Sequence, residues 1–380
     1  MALQAAPTRR WLGEVAPIRH LDPTLIFVSI GLTIYGLLMV YSATHRALAS
    51  FGDDPGFFLK KQLAFMMLGL IVLVFSSVLD YRLVKVYAPF IFGICGFFLF
   101  LVLTPLGSET SGAQRWLTLF GFQFQPSEIT KLALIAMLAA YLSEIRGPVR
   151  LDHVWRATGL TLIPMLLVVL QPDIGTSMMF AVILVAMLIV GGAKAQQIGI
   201  LALAALIALF AAFRLGVVQE YQIERLTGFL DPANDPLRAG YNRAQAEIAI
   251  GAGGLFGTGY GSGTQTNLDF VPEQHTDFIF TVVGEEFGFV GAVLLLSMYG
   301  ILLWRGFRIA MLSKDAFGSL LALGIVGMLA FQVFVNVGMT IGIMPITGIP
   351  LPFISYGGTA LLTNFLAVGL LLNVHMRRFK

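Results

Sequence analysis

Charge is what this chain has least of. Only 12% of its 380 residues are Asp, Glu, Lys or Arg, against 57% hydrophobic residues, whereas a globular domain carries roughly a quarter charged residues. A chain so poor in charge cannot cover a water-facing surface of its own size, so lipid must solvate most of it. Cysteine is scarcer still. The single one, Cys95, lies in the middle of an apolar run, which excludes an intrachain disulfide framework and a thiolate metal cluster. None of the five histidines forms a His-x-x-x-His pair, so no metal site is expected. The formal net charge is +3 and the basic residues sit in short loops, a pattern that orients a membrane protein and speaks against nucleic acid as a partner. Internal repeats and low-complexity tails are also missing.

What the chain does have is apolar runs, ten of them near membrane-spanning length: Thr24–Ala43, Gln62–Leu79, Val86–Thr104, Ile129–Leu142, Ala157–Leu170, Ile174–Val190, Ile198–Phe213, Phe278–Trp304, Phe317–Ile343 and Phe353–Val374. They are too long for barrel strands, and backbone groups in hydrocarbon must be satisfied internally. The expected fold is therefore all-α: a polytopic membrane bundle of about ten transmembrane helices, one domain over residues 1–380. Arg9, Arg10 and Arg19 ahead of the first run loosely resemble a signal peptide, but the apolar core from Leu25 to Val40 is long enough to remain as an uncleaved helix. An even number of spans puts both termini on one side. Alternate connections carry Arg82, Lys85, Arg146, Arg150, Arg156, Lys194, Arg305, Arg308, Lys314, Arg377 and Arg378, and the positive-inside rule makes that face cytoplasmic.

The opposite face holds His45–Lys61, Pro105–Ser127, Met344–Pro352 and one long extracytoplasmic loop, residues 216–276, between the seventh and eighth helices. Long loops in compact bundles are usually functional. Within it, Arg243–Ile250 suits a short interfacial helix, and Gly251–Gly263 reads as a flexible glycine-rich loop. That run neither follows a strand nor opens a Lys-Ser/Thr helix, so it is no nucleotide loop.

Polar residues that could carry chemistry gather on this outer face. Asp277 begins the eighth helix beside Thr276, a plausible N-cap; it either complements the helix dipole or serves as an ionised general base. Glu128 and Lys131, three apart, share a helix face and can pair, as a structural tie or as part of a site. Glu285 and Glu286, two turns into the eighth helix, must face partners or a wet cavity, as structural groups or proton carriers. Arg115 and Arg225 offer forked donors suited to a diphosphate, and solvated loop charge is the plainer alternative. Trp116, Gln171, Asp173, His275 and Ser355 lie on the same face. Ser355 lacks the flanking glycines of a nucleophile elbow, which argues against acyl transfer.

Several stretches together resemble the SEDS family of shape, elongation, division and sporulation proteins: Tyr41-Ser42-Ala43, Gly112 to Trp116, Gln125-Pro126-Ser127-Glu128 with Lys131, Gln171 to Thr176, Gln245 to Gly257, Pro272 to Glu286 and Asn336 to Gly358. Thr347 to Phe353 and Val271 to His275 are more similar to the elongation (RodA) branch than to the division (FtsW) branch. The chain departs from the family pattern at Thr359, where Ser is expected and a hydroxyl is kept, and at Tyr241-Asn242, where Tyr-Gln is frequent. The resemblance implies a peptidoglycan glycosyltransferase that polymerises lipid II at the outer leaflet, with inversion and with Asp277 as general base. It implies a class B penicillin-binding protein transpeptidase and other elongation-complex proteins as partners, in the cytoplasmic membrane. The candidate substrate-binding set is Arg115, Trp116, Glu128, Lys131, Gln171, Asp173, Arg225, Gln245, His275 and Ser355. No cofactor is expected, and a need for a divalent cation is left open. A lipid II flippase and a non-catalytic scaffold are the rival readings; motifs concentrated on one face favour the enzyme, because a flippase needs a polar path through the bilayer.

The topology is testable by labelling intact cells with a membrane-impermeant maleimide. Asn234→Cys should label and Ser313→Cys should not; the reverse pattern would invert the assignment.

Overall fold

The computed structural model describes residues 20–110, 113–119, 122–214, 239–268 and 270–378. Arg225 and Asn234, and with them the first part of the long outer loop, lie outside these residues. In chain order the described elements are α1 (Pro23–Phe51), α2 (Phe57–Val78), α3 (Tyr81–Val102), β1 (Gly107–Thr110), β2 (Ala113–Leu119), β3 (Phe122–Phe124), α4 (Pro126–Ser143), α5 (Leu151–Val169), α6 (Ile174–Val190) and α7 (Ala195–Arg214), followed by α8 (Ala239–Gly253), α9 (Thr264–Asn267), α10 (Ile279–Met311), α11 (Ala316–Thr340) and α12 (Gly358–Arg377). Each of the ten apolar runs coincides with one long helix. Six of those helices, α1, α2, α3, α10, α11 and α12, are long and apolar enough to cross a membrane by length and composition.

Aspartates start four of the helices. Asp22, Asp80, Asp173 and Asp315 accept the N–H groups of Leu25, Arg82, Thr176 and Gly318 at the N-termini of α1, α3, α6 and α11, each cap contributing about 1 kcal/mol. Three of these carboxylates also tie helix ends together. Asp22 pairs with Arg305 at 2.8 Å, Asp80 with Arg377 at 3.1 Å, and Asp315 accepts the Tyr81 hydroxyl. The starts of α1, α3 and α11 thus share one end of the bundle with the far ends of α10 and α12. Inside, α4, α11 and α12 form the centre, most of their residues being buried, whereas most residues of α2 and α3 are not.

Two outer segments differ from the sequence reading. α1 continues to Phe51, so most of His45–Lys61 is helix rather than loop and only 52–56 link α1 to α2. Pro105–Ser127 contains an antiparallel sheet, ordered β1-β2-β3, with Ser108 opposite Trp116 and Leu117 opposite Phe124.

The glycine-rich segment is a built part rather than a flexible loop. α10 breaks at Gly288, whose φ of 63° and ψ of −158° belong to a region that essentially only glycine enters. In an unbroken helix the carbonyls of Glu285 and Glu286 would accept from Phe289 and Val290. Instead they accept the backbone N–H groups of Thr258 at 2.9 Å and Gly259 at 3.1 Å, while Phe289 and Val290 donate to Gly254 and Leu255 at 2.9 and 3.1 Å. The inserted segment thereby pairs these two carbonyls and two N–H groups that the break releases, which is what makes a broken helix tolerable next to lipid. The approach leaves no room for side chains: a Cβ on Gly288 would lie 2.4 Å from the Gly257 nitrogen.

Gly288→Ala should therefore destabilise the protein by about 3 kcal/mol or more, strain and clash together. Gly93→Ala, at a position in α3 with nothing within 4 Å, should be neutral or slightly stabilising. Thermal unfolding in detergent compares the two.

Candidate active site

The turn that leads into α10 carries the central residue. Val271–Phe278 is a run of tight turns in which Thr276 and Phe278 both donate their N–H to the Glu273 carbonyl, at 3.1 and 3.3 Å. Phe278, not Thr276, is the N-cap, and no side chain caps it. The Thr276 hydroxyl donates instead to the Glu273 carbonyl and carboxylate, at 3.1 and 3.2 Å, because the positive φ of Glu273, 52°, folds the chain back before the helix begins. Asp277 is left half-buried just ahead of the N-cap.

Its backbone is braced from other parts of the chain. Asn336, wholly buried in α11, donates its Nδ2 to the carbonyls of Asp277 and Ile349, both at 2.8 Å. The Ser355 hydroxyl donates to the Thr276 carbonyl at 2.6 Å and accepts the Leu351 N–H at 2.8 Å. Tyr356 N–H donates to the His275 carbonyl at 2.9 Å. Gln62, wholly buried in α2, holds that turn in place by donating to the Ser355 carbonyl at 3.2 Å and accepting from Gly357 N–H at 3.4 Å. Around it the rings of Phe58, His275 and Tyr356 meet, each within 5.8 Å of the others. The Asp277 carboxylate faces Gly348, where a Cβ would lie 3.3 Å from Oδ2 and where φ is +73°.

From Gly348 the contacts continue to the candidates on the fifth and sixth helices. Gly175, in the first turn of α6, packs on the Thr347 carbonyl. Asp173 caps that turn, accepting Thr176 N–H at 3.1 Å and the Thr176 hydroxyl at 2.8 Å. Gln171 is buried and donates to the Leu99 carbonyl at 2.9 Å. Arg115, on β2, donates its Nε to the Gln171 carbonyl at 3.4 Å and a terminal N–H to the Pro172 carbonyl. The structure thus gives Arg115 the task of closing the α5–α6 turn. Trp116, the next residue on β2, is half-buried, and its carbonyl accepts the Ser108 hydroxyl at 3.2 Å.

Glu128 and Lys131 pair at 2.8 Å, both almost wholly buried in the first turns of α4. The Gln125 N–H ahead of them donates to the Thr359 hydroxyl at 3.2 Å, which joins the start of α4 to the start of α12. Gln245 sits half-buried on α8, beside Ala246, which packs with Ala249, Val271, Phe278 and Ile346. Arg225 lies outside the described residues. Of the two glutamates in α10, Glu285 is saturated: it accepts from the backbone N–H groups of Gln265 and Thr266 and from both threonine hydroxyls of α9. That makes it the clamp that holds α9 rather than a proton carrier. Glu286 accepts the Ser42 hydroxyl at 2.5 Å.

The residue-by-residue reading of the sequence missed Asn336 and Gln62. The available signal was a lone amide inside an apolar run, which a membrane helix retains only where it has partners.

Comparison with known proteins gives the family. The profile of the cell cycle protein family of FtsW, RodA and SpoVE matches residues 23–380. The chain belongs to that family. Peptidoglycan glycosyltransferase MrdB of Escherichia coli (strain K12) is 38% identical over 359 residues, 94% of each chain. Stage V sporulation protein E of Bacillus subtilis (strain 168) is 40% identical over 357 residues, 93% of this chain and 96% of the relative. Among solved structures, a chain of a peptidoglycan synthase complex that coordinates polymerization and crosslinking superposes with a TM-score of 0.79 at 32% identity, covering 95% of this chain and 99% of that one. The family is thus a multi-pass membrane one, and these identities do not separate its branches.

Asn336→Leu would leave the Asp277 and Ile349 carbonyls without their donor. A loss of about 2 kcal/mol of stability is expected, read by thermal unfolding. An unchanged melting temperature would remove Asn336 from the bracing.

Proposed function

We propose that this chain, a peptidoglycan glycosyltransferase of the FtsW, RodA and SpoVE family, polymerises lipid II at the outer leaflet during cell elongation, with Asp277 as general base. The observation that carries the reading is a half-buried carboxylate at one end of a membrane bundle, its backbone braced by α11 and by the turn ahead of α12. A general base works only from a fixed position within hydrogen-bond reach of the proton that it takes.

In this reaction the 4-hydroxyl of the acceptor GlcNAc attacks the anomeric carbon of the donor MurNAc. Its proton passes to the Asp277 carboxylate, and the bond from the anomeric carbon to the phosphate oxygen breaks, so that undecaprenyl diphosphate leaves with the electron pair. One carboxylate suffices for such an inversion, and no covalent glycosyl-enzyme forms. The charge that develops on the diphosphate calls for cations, for which Arg225 is the candidate; Lys131 is paired with Glu128, and Arg115 with the α5–α6 turn. Phe58, His275 and Tyr356 offer ring faces to a sugar. The lipid tails stay in the bilayer while the sugars occupy the outer end. By the distribution of short-loop cations, both termini are cytoplasmic. The partner is a class B penicillin-binding protein transpeptidase, a reading supported by the crosslinking function named for the complex of the structural neighbour.

Asp277→Asn keeps size and removes basicity. Polymerisation of lipid II by purified protein should fall by roughly 100-fold to 10,000-fold, while the melting temperature and transpeptidase binding hold. A folded, partner-binding variant that polymerises at the parental rate would end the catalytic role and return the flippase and scaffold readings.

A further inference from the structure

The first turns of α2 lie against the turn that braces Asp277. Phe58, Lys61, Gln62 and Phe65 stand at i, i+3, i+4 and i+7, which puts them on one face of the helix. Three of the four have their contacts on that turn. Phe58 meets the rings of His275 and Tyr356, both at 4.9 Å. Gln62 bonds to the Ser355 carbonyl and the Gly357 N–H. Phe65 covers Gly358, where a Cβ would lie 2.4 Å from its ring, and meets Phe122 of β3 at 5.2 Å. Lys61 stands at the edge of this stripe. It is exposed, and its Nζ lies 4.2 Å from the centre of the Phe57 ring.

Other outer cations are engaged. Lys131 pairs with Glu128, Lys60 with Asp54 and Arg243 with Glu247, while Arg115 and Arg46 donate to backbone carbonyls. Among the described residues the Lys61 ammonium has an aromatic face beneath it and no oxygen partner, so its N–H donors remain for an anion. Its depth suits a phosphate carried by a lipid. α2 is long and apolar enough to cross a membrane, and an ammonium group in the first turns of such a helix stays at the headgroup level. A polyprenyl diphosphate holds its charge at that same level while its tail stays in hydrocarbon.

We propose that Lys61 binds the diphosphate of the lipid-linked substrate beside the rings of Phe58, His275 and Tyr356. The assignment rests on the glycosyltransferase reading for the identity of the ligand, and it adds to Arg225 a cation carried by a spanning helix.

Native mass spectrometry of the full chain in detergent, titrated with undecaprenyl diphosphate or undecaprenol, tests the site without turnover. The parental protein should prefer the diphosphate. Lys61→Gln should weaken diphosphate binding about ten-fold, Lys61→Arg much less, and neither should change undecaprenol binding. Lys60→Gln removes the same charge from the opposite face of α2 and should bind as the parental protein does. Melting temperatures close to parental would show that the variants fold, and Lys61→Glu, which should lose more than Lys61→Gln, gives a second reading at the same exposed position. Parental binding by Lys61→Gln would overturn the proposal. So would equal losses in Lys61→Gln and Lys60→Gln, the mark of a general interfacial anchor, or a parental protein indifferent to the diphosphate. Asp277→Asn separates the two readings: if it polymerises at the parental rate while Lys61→Gln loses diphosphate binding, the general-base role falls and the Lys61 site stands.

Discussion

A backbone N–H or C=O left without a partner in hydrocarbon costs several kcal/mol, and that single constraint organises this protein. It forces the lipid-crossing backbone into helices, and it dictates how the broken helix α10 is repaired. At Gly288 the chain of α10 stops bonding to itself and bonds to residues 254–259 instead, donor for donor and acceptor for acceptor. Because that exchange fixes the glycine-rich segment, it also fixes what is attached to the segment: α8 on one side and, through the Glu285 clamp, α9 on the other. The outer cap of the molecule is built outward from a repaired defect.

The site uses the same currency. Asn336, Ser355 and Tyr356 reach the Asp277 turn through main-chain carbonyls and amides rather than through the carboxylate. Bonds to the backbone place the residue and are indifferent to which side chain the braced residue carries. This is why a change at Asp277 itself and a change at Asn336 are expected to act on different quantities, one on rate and one on stability.

Much of the bundle was legible in the sequence, because hydrophobic length is a direct physical signal: ten apolar runs became ten long helices, and the interfacial segment around Arg243–Ile250 became α8. What escaped was whatever depends on partners distant in sequence. The sheet of Gly107–Phe124 pairs short strands that carry no strong alternation. The repair of α10 looks in sequence like a loop rich in glycine, since the reason for each glycine lies in the backbone that it approaches. Thr276 looked like a cap because its type suits one, and the positive φ of Glu273 moved the helix start beyond it. The candidate residues were legible as types, and their partners were not: Arg115 read as a phosphate ligand or a solvated loop charge and is engaged with two carbonyls of a turn.

The break at Gly288 has a mechanical meaning too. A continuous rod would transmit any tilt or bend imposed by the bilayer directly to the carboxylate at its tip. Interrupted where it is, α10 behaves as two levers joined by a fixed collar, and the short outer lever, Ile279–Phe287, is clasped by the residues around 254–259 and 264–266. Asp277, at the tip of that short lever, is held in register with Gly348 and Asn336 by contacts that do not pass through the long one.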